Sequence, residues 1–132
     1  MIIADTTFLV DLLRKKDTAA LQKLDELQEA DIPCIATTIS VFELWAGLAN
    51  SHSKTQEIQE IEQLISSMPL LVLDKVSAEK AGVIFSGLER QGNIVQTEDC
   101  MIAGIALAQN CPVLTRNVKH FERIPGLKIE KY

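Results

Sequence analysis

The chain has 132 residues, 47% hydrophobic and 23% charged, which is the size and composition of one ordinary globular domain. Its 18 acidic and 13 basic residues leave a net charge of −5, which excludes a uniformly basic protein that coats nucleic acid but not a local basic patch. The longest apolar run, 101–108, is far shorter than the ~20 residues that cross a bilayer, and the first basic residues follow the first apolar run rather than precede it as in a secretory signal. We therefore expect a cytoplasmic protein without a membrane segment.

Apolar runs that predict strands alternate with segments of helical spacing along the whole chain. Capping hydroxyls, Pro and Gly define where most of the helices begin or end. The predicted order is a strand at 1–4, helices at 8–15 and 18–29, a strand at 34–36, a helix capped within 37–40 that runs through 48, a helix at 53–67, a strand at 70–73, helices at 77–91 and 97–110, a strand at 113–114, a short helix around Phe121 and an edge strand at 128–131.

This alternation predicts an α/β fold. Because the strands have no polar face, we expect a three-layer α/β/α single domain over 1–132, with a mostly parallel sheet of four to five strands between the helices. Ligands of such sheets bind beyond the carboxyl ends of the strands. The residues to inspect are therefore those that follow strands: Asp5, the segment after Ala36, Asp74, and 115–117.

Several common catalytic motifs are absent from the sequence. There is no GxxxxGK[ST] phosphate loop, DTTF rather than GxGxxG follows the first strand, and no GxSxG nucleophile elbow occurs. The two histidines, His52 and His120, have no partners at zinc-ligand spacing. The three cysteines lie in apolar sequence without a CxxC pair, which predicts buried free thiols in a reducing compartment.

Three carboxylates lie in unusually apolar surroundings: Asp5 in IIADTTFLV, Glu43 in SVFELWAGL and Asp99 in TEDCMIAGIALA. A carboxylate in such surroundings has to be paired, hydrogen-bonded or bound to a metal, because burying it alone is costly. Carboxylates that cluster without nitrogen or sulfur ligands suit a hard cation, Mg²⁺ or Mn²⁺. The order of the strands brings at least two of these acids to the same edge of the sheet.

Each acid also has a purely structural interpretation. Asp5 suits the cap of the first helix, and Glu43 forms the pattern S-x-x-E of a capping box with Ser40. Negative charge favours a helix N-terminus, and we assign that role to Glu98 rather than to its neighbour Asp99. Asp74 is expected to be a cap or a strand-end turn.

The chain resembles the PIN-domain family, and specifically its VapC-type toxins of type II toxin–antitoxin pairs. Four segments in the family's order carry the resemblance, which spans the whole chain: IIADTTFLVDLL, ISVFELWAGL, GNIVQTEDCMIAGIALA and VLTRNVKHFERIPGLKI. In these segments Asp5 corresponds to the family's first acid and is followed by a Thr, and Glu43 corresponds to the second acid and is followed four residues on by Gly47. Asp99 corresponds to the third acid and is followed by xxIAxxA. The residues that match the family's last segment are Thr115, Asn117 and Phe121.

The resemblance implies a metal-dependent endoribonuclease. By this resemblance Asp5, Glu43 and Asp99 hold Mg²⁺ (or Mn²⁺), and a metal-activated water attacks the phosphodiester in line and leaves 5′-phosphate and 3′-hydroxyl ends. Asn117 stands where many PIN nucleases have a fourth acid, which makes a second tightly held ion less expected. The residues expected to orient the carboxylates and their water are Thr6, Thr115 and Asn117.

Binding of structured RNA requires local positive charge, because phosphate contacts dominate affinity. One candidate cluster is Arg14, Lys15 and Lys16. The other follows the fourth strand, so it is expected to flank the site, and it consists of Arg116, Lys119, His120 and Arg123. We assign RNA binding to the second cluster, in the residues Arg116, Lys119 and Arg123. Aromatic residues make up only 5% of the chain, so we expect recognition by RNA shape rather than by base stacking.

The expected partners follow from the same resemblance: an RNA substrate, a VapB-type antitoxin and a second copy of the chain in a homodimer. Trp45, Leu48, Ile58 and Ile61 supply apolar surface either for a partner or for the core. A non-catalytic PIN-fold module that holds a partner peptide in its acidic groove is the alternative function, favoured by Asn117. A phosphoacceptor receiver domain ranks last, because the first strand is followed by a single acid.

Overall fold

The computed structural model describes residues 1–15 and 18–132. Within these residues the chain forms five strands and seven helices in the order β1, α1, α2, β2, α3, α4, β3, α5, α6, β4, α7, β5. The strands are β1 Ile2–Ala4, β2 Cys34–Thr37, β3 Leu70–Leu71, β4 Val113–Leu114 and β5 Ile129–Glu130. The helices are α1 Thr6–Arg14, α2 Thr18–Glu29, α3 Thr38–Gly47, α4 Lys54–Ser66, α5 Lys75–Arg90, α6 Thr97–Gln109 and α7 Val118–Phe121.

The strands form one sheet in the order β3-β2-β1-β4-β5. Each of the four pairings between described strands is parallel. This confirms the predicted α/β/α sheet, and it excludes the receiver-type sheet, whose order is 2-1-3-4-5. Leu70 is 45% exposed, so β3 is a half-exposed edge strand rather than the buried run that the sequence predicted.

Two hydrophobic cores lie on the two faces of the sheet. Alternation along β1 sends Ile2 and Ala4 into the core under α1–α4, and Ile3 into the core under α5–α7. On β4, Val113 and Leu114 divide in the same way. Helix α6 lies so close to α5 that a Cβ on Gly104 would come within 2.4 Å of the backbone oxygen of Ser77, which explains the glycine at this position.

Several predicted boundaries are wrong by a turn or less. Helix α1 begins at Thr6 rather than at 8, because Asp5 caps it. Helix α5 begins at Lys75 rather than at 77, because Asp74 is its N-cap. Helix α3 ends at Gly47 and continues as a 3₁₀ turn, Leu48–Asn50, that the sequence did not predict.

Cys34, Cys100 and Cys111 are buried free thiols, as predicted. Among the described residues, no helix combines the length and the apolar character that crossing a membrane requires.

Candidate functional site

The site lies where the direction of the sheet connections changes. The chain leaves the central strand β1 toward β2 and β3 on one side, and later returns to place β4 on the other side. In open parallel sheets, a crevice forms beyond the carboxyl ends of the two strands at such a switch point. Asp5 follows β1, Thr115 follows β4, and the backbone N–H of Asp5 donates to the Leu114 carbonyl at 3.0 Å.

Asp5 is held in one orientation by several donors. Its side chain is 3% exposed and caps α1, with Oδ1 accepting from the Thr6 backbone N–H at 2.8 Å. Oδ2 accepts from the hydroxyls of Thr7 at 2.7 Å and Thr115 at 2.8 Å. Thr115 is fully buried, so its hydroxyl fixes the carboxylate across the crevice. Asp5 is therefore both a helix cap and a carboxylate oriented toward the switch point.

Glu43 does not form the capping box with Ser40 that was its purely structural alternative. The N-cap of α3 is Thr37, whose hydroxyl oxygen accepts from the backbone N–H of Ser40 at 3.1 Å, so Ser40 lies inside the first turn. Glu43 Oε1 instead accepts from the Thr6 hydroxyl at 2.7 Å. Since Thr6 Oγ1 also lies 2.9 Å from Ser40 Oγ and has one hydrogen, the Ser40 hydroxyl donates to Thr6. This chain of hydroxyls ties the second acid to the segment that begins with Asp5.

Asp99 lies in the first turn of α6 and is 7% exposed. Its Oδ2 lies 2.9 Å from Nδ1 of His120 on α7. The sequence placed this histidine only in the basic cluster after the fourth strand and did not pair it with Asp99. The signal was present in the position of His120 shortly after β4, at the same edge of the sheet as the acids.

The three acids share one electrostatic field. Burial raises the pKa of Glu43, and the negative charges of Asp5, Asp99 and Glu98 raise it further, while the Thr6 hydrogen bond opposes them. Burial also raises the pKa of Asp99, with the charge of Asp5 next, and the contact with His120 opposes both. Glu98, which the sequence assigned only to the helix N-terminus, therefore belongs electrostatically to this acidic cluster.

The donor set of this cluster fits a hydrated hard cation. Within 1–15 and 18–132, no three His, Cys, Asp or Glu side chains converge closely enough to ligate one ion together. Mg²⁺, however, keeps several of its waters and is usually bound by one or two carboxylates. The negative charges of Asp5 and Asp99, which raise the pKa of Glu43, are charges that such an ion neutralises.

A third buried acid, Asp11, was not singled out from the sequence. Asp11 is 2% exposed and accepts from the Tyr132 hydroxyl at 2.7 Å and from Arg116 Nη1 at 3.0 Å. Burial and the hydrogen bond to Asp11 raise the pKa of Tyr132. The apolar surroundings that singled out the other three acids also surround Asp11 in TTFLVDLL, so the same criterion would have found it.

The basic residues predicted to bind RNA lie in different environments. The Arg116 side chain is 45% exposed but pairs with the buried Asp11, so it also stabilises the fold. Lys119 is exposed, and the exposed Arg123 donates from Nη1 to Asn93 Oδ1 at 3.0 Å. In the other basic cluster, Arg14 and Lys15 are exposed, and Lys16 lies outside the described residues.

Asn117 lies next to the crevice at the start of α7. It is half-buried, and its backbone N–H donates to the Thr115 hydroxyl oxygen at 2.9 Å.

The apolar residues of α3, of the 3₁₀ turn that follows it and of α4 divide into two groups. Leu48 and Ile61 are buried in the core, whereas Trp45 is 44% exposed on α3. Phe42 is 61% exposed one turn away from Trp45.

Comparisons with known proteins agree with this architecture. The PIN domain family model matches residues 2–127. The tRNA(fMet)-specific endonuclease VapC of Salmonella typhimurium is 36% identical over 99 residues, which cover 75% of this chain and 74% of that protein.

Two solved structures are also similar. VapBC2 from Rickettsia felis, bound to a DNA fragment from its promoter, gives a TM-score of 0.90 at 26% identity and covers 100% of this chain and 99% of that chain. DNA-bound VapBC from Salmonella typhimurium gives a TM-score of 0.88 at 28% identity and covers 98% of this chain and 96% of that chain.

Proposed function

Because the chain belongs to the PIN domain family and, within it, to the VapC ribonucleases, we propose that it is a metal-dependent endoribonuclease and the toxin of a toxin–antitoxin system. One observation carries the proposal. Asp5, Glu43 and Asp99 are anchored around the switch point of the sheet, and the negative charges of Asp5 and Asp99 raise the pKa of Glu43. Such a field is unfavourable for the protein alone and favourable for a bound cation.

The residues proposed to hold Mg²⁺ or Mn²⁺ are Asp5, Glu43 and Asp99. When bound, the ion supplies Lewis acidity to the scissile phosphate and a water of lowered pKa for in-line attack, which leaves 5′-phosphate and 3′-hydroxyl ends. The chain contributes orientation. Thr7 and Thr115 fix Asp5, and Thr6 fixes Glu43. Asn117, uncharged where many PIN nucleases have an acid, is proposed to hold water at the same crevice.

The proposed RNA contacts are Lys119, Arg123 and the outer face of Arg116. Lys119 is the cleanest test, because it is exposed and its replacement leaves Asp11 paired. We expect Lys119→Glu to weaken RNA binding at low salt and to reduce the slope of log K against log salt by about one. Lys54→Glu, at the start of α4, is the matched control. An equal slope for the two variants would remove Lys119 from the interface.

The proposed partners are a VapB-type antitoxin and a second copy of the chain. Both solved structures compared above are VapBC complexes. Phe42 and Trp45 expose apolar surface on α3, the helix that carries Glu43. A partner that covers α3 would therefore also lie beside the acidic cluster.

The function is tested by incubating the purified chain with a pool of structured RNAs in Mg²⁺, in Mn²⁺ and in EDTA. We expect discrete products with either ion, none in EDTA, and none with Asp5→Asn. Sequencing of the products checks for 5′-phosphate ends.

The alternative function is a non-catalytic module that holds a partner peptide in the acidic crevice, and the uncharged Asn117 is the observation that favours it. Absence of cleavage by wild-type protein shown to be free of a co-purified partner would favour this module.

A further inference from the structure

A small cavity opens beside Asp99 and its partner His120, next to the proposed metal site. Its volume is about 190 Å³. A cavity of this volume has room for several waters or for one heterocyclic ring system, and it is too small for a peptide segment. Its lining residues are Ile94, Val95, Gln96, Asp99, His120 and Arg123.

One wall of the cavity is apolar and open to solvent. Ile94 is 95% exposed, while the next residue, Val95, is half-buried and packs against the core under α5 and α6. Anchoring at Val95 therefore keeps the Ile94 side chain out of the core. Single exposed apolar residues are common and need no explanation on their own. Here the residue lines a cavity that also contains a carboxylate of the acidic cluster, so its exposure leaves an apolar surface beside that cluster.

Two planar groups, an imidazole and a guanidinium, line the cavity together with Gln96 and Asp99. The imidazole of His120 is fixed through Nδ1 by Asp99, and the guanidinium of Arg123 is fixed by Asn93 Oδ1. Asn93 is itself anchored, since its backbone N–H donates to the Leu88 carbonyl at 3.0 Å. Unpaired RNA bases stack on imidazole and guanidinium planes, and planes that are already fixed lose little entropy on binding.

We infer that this cavity is a subsite for one unpaired nucleotide of the RNA substrate. Its base packs against Ile94 and His120, and its phosphate pairs with Arg123. The inference rests on the proposed ribonuclease function and deepens it, because it places a single-stranded nucleotide beside Asp99. It also revises the expectation of recognition by shape alone, since few aromatic residues are needed when one base is bound by an aliphatic side chain and an imidazole.

The test is a titration of the ¹⁵N-labelled chain with AMP, CMP, GMP and UMP, followed by NMR at the amides of 92–97, with ribose 5-phosphate as the probe without a base. We expect at least one nucleotide to bind about five- to tenfold more tightly than ribose 5-phosphate. Ile94→Ala removes that advantage without affecting the fold, because the side chain is exposed. Arg123→Ala weakens both probes, and Leu21→Ala, an exposed apolar residue on α2, changes neither.

Two results would overturn the subsite: equal binding of ribose 5-phosphate and all four nucleotides, or an unchanged preference in Ile94→Ala. The binding test needs no cleavage, so it separates the two proposals. Nucleotide binding by a chain that cuts no RNA would contradict the ribonuclease and leave the subsite. RNA cleavage without any base-dependent binding would leave the ribonuclease and contradict the subsite.

Discussion

Asp5 and Asp74 begin with the same local role and end in opposite environments. Each follows a strand, and each caps the next helix through its side chain. Asp5 follows the central strand and is 3% exposed, whereas Asp74 follows the edge strand β3 and is exposed. The Ser77 side chain and backbone lower the pKa of Asp74. Asp5, by contrast, raises the pKa of Glu43 and of Asp99. The order of the strands, and not the local sequence, therefore decides that Asp5 caps its helix inside an acidic cluster, whereas Asp74 is only a helix cap.

The largest expected difference between the two acids is in cleavage. Asn caps helices about as well as Asp, so Asp5→Asn and Asp74→Asn both preserve their helices. We expect Asp5→Asn to lower the rate of RNA cleavage at least about a hundredfold, since removal of the groups that only orient metal ligands already costs ~10–100-fold. Asp74→Asn retains the wild-type rate. Equal rates for the two variants, with unchanged circular dichroism, would show that Asp5 is only a cap.

A smaller effect is expected from the hydroxyls that orient the two acids. Thr115→Val removes the donor to Asp5 Oδ2 and keeps the shape of the buried side chain. We expect cleavage to slow by about ten- to a hundredfold, mainly in kcat. Ser77→Ala removes the hydroxyl that contacts Asp74 and is expected to leave the rate within about twofold of wild type. A wild-type kcat in Thr115→Val would contradict the orienting role.

The free energy of unfolding of the metal-free protein should depend on pH in opposite directions through Glu43 in the cluster and through Asp74 at the edge. The pKa of Glu43 is raised in the folded state, so the protonated side chain contributes to the stability of the fold. This contribution is lost as pH rises through that pKa. Glu43→Gln removes the charge and keeps an acceptor for Thr6. We expect Tm at pH 7 without metal to rise by on the order of 1–3 °C. The rise should shrink as pH falls below 4.5, the ordinary value for Glu, because Glu43 then becomes protonated in both states. A lower Tm at pH 7 would contradict the destabilising charge.

The smallest expected effect is a difference in titration midpoints, measured by ¹³C NMR of the carboxyl groups. Asp99 should titrate above 3.8, because burial and the charge of Asp5 raise its pKa. Its midpoint should fall in Asp5→Asn. Asp74 should titrate below 3.8 in both proteins, so its small contribution to stability is present at neutral pH and is lost as pH falls through that midpoint. Coincident midpoints for Asp74 and Asp99 would contradict the contrast between centre and edge.

The sequence predicted the alternation of elements well, because strands buried on both faces are uniformly apolar and amphipathic helices carry a clear period. It located helix α2 at its observed bounds, Thr18–Glu29. It left open which of Thr37, Thr38 and Ser40 caps α3, because all three are good caps and the choice of Thr37 depends on where β2 ends. It missed Asp11 and Tyr132 and did not pair His120 with Asp99, because these contacts join residues up to 121 positions apart in the chain.

The sequence by itself determined the α/β class and the family and singled out three acids as site candidates, because these depend on short-range patterns and on motifs in a fixed order. Only the tertiary structure decided which carboxyl groups act on one another. Strand order places β1 beside β4 and thereby brings Thr115 to Asp5 across 110 residues. Coulomb interactions depend on distance and burial rather than on spacing along the chain. The structure alone therefore separates the acidic cluster from Asp74 and pairs Asp99 with His120.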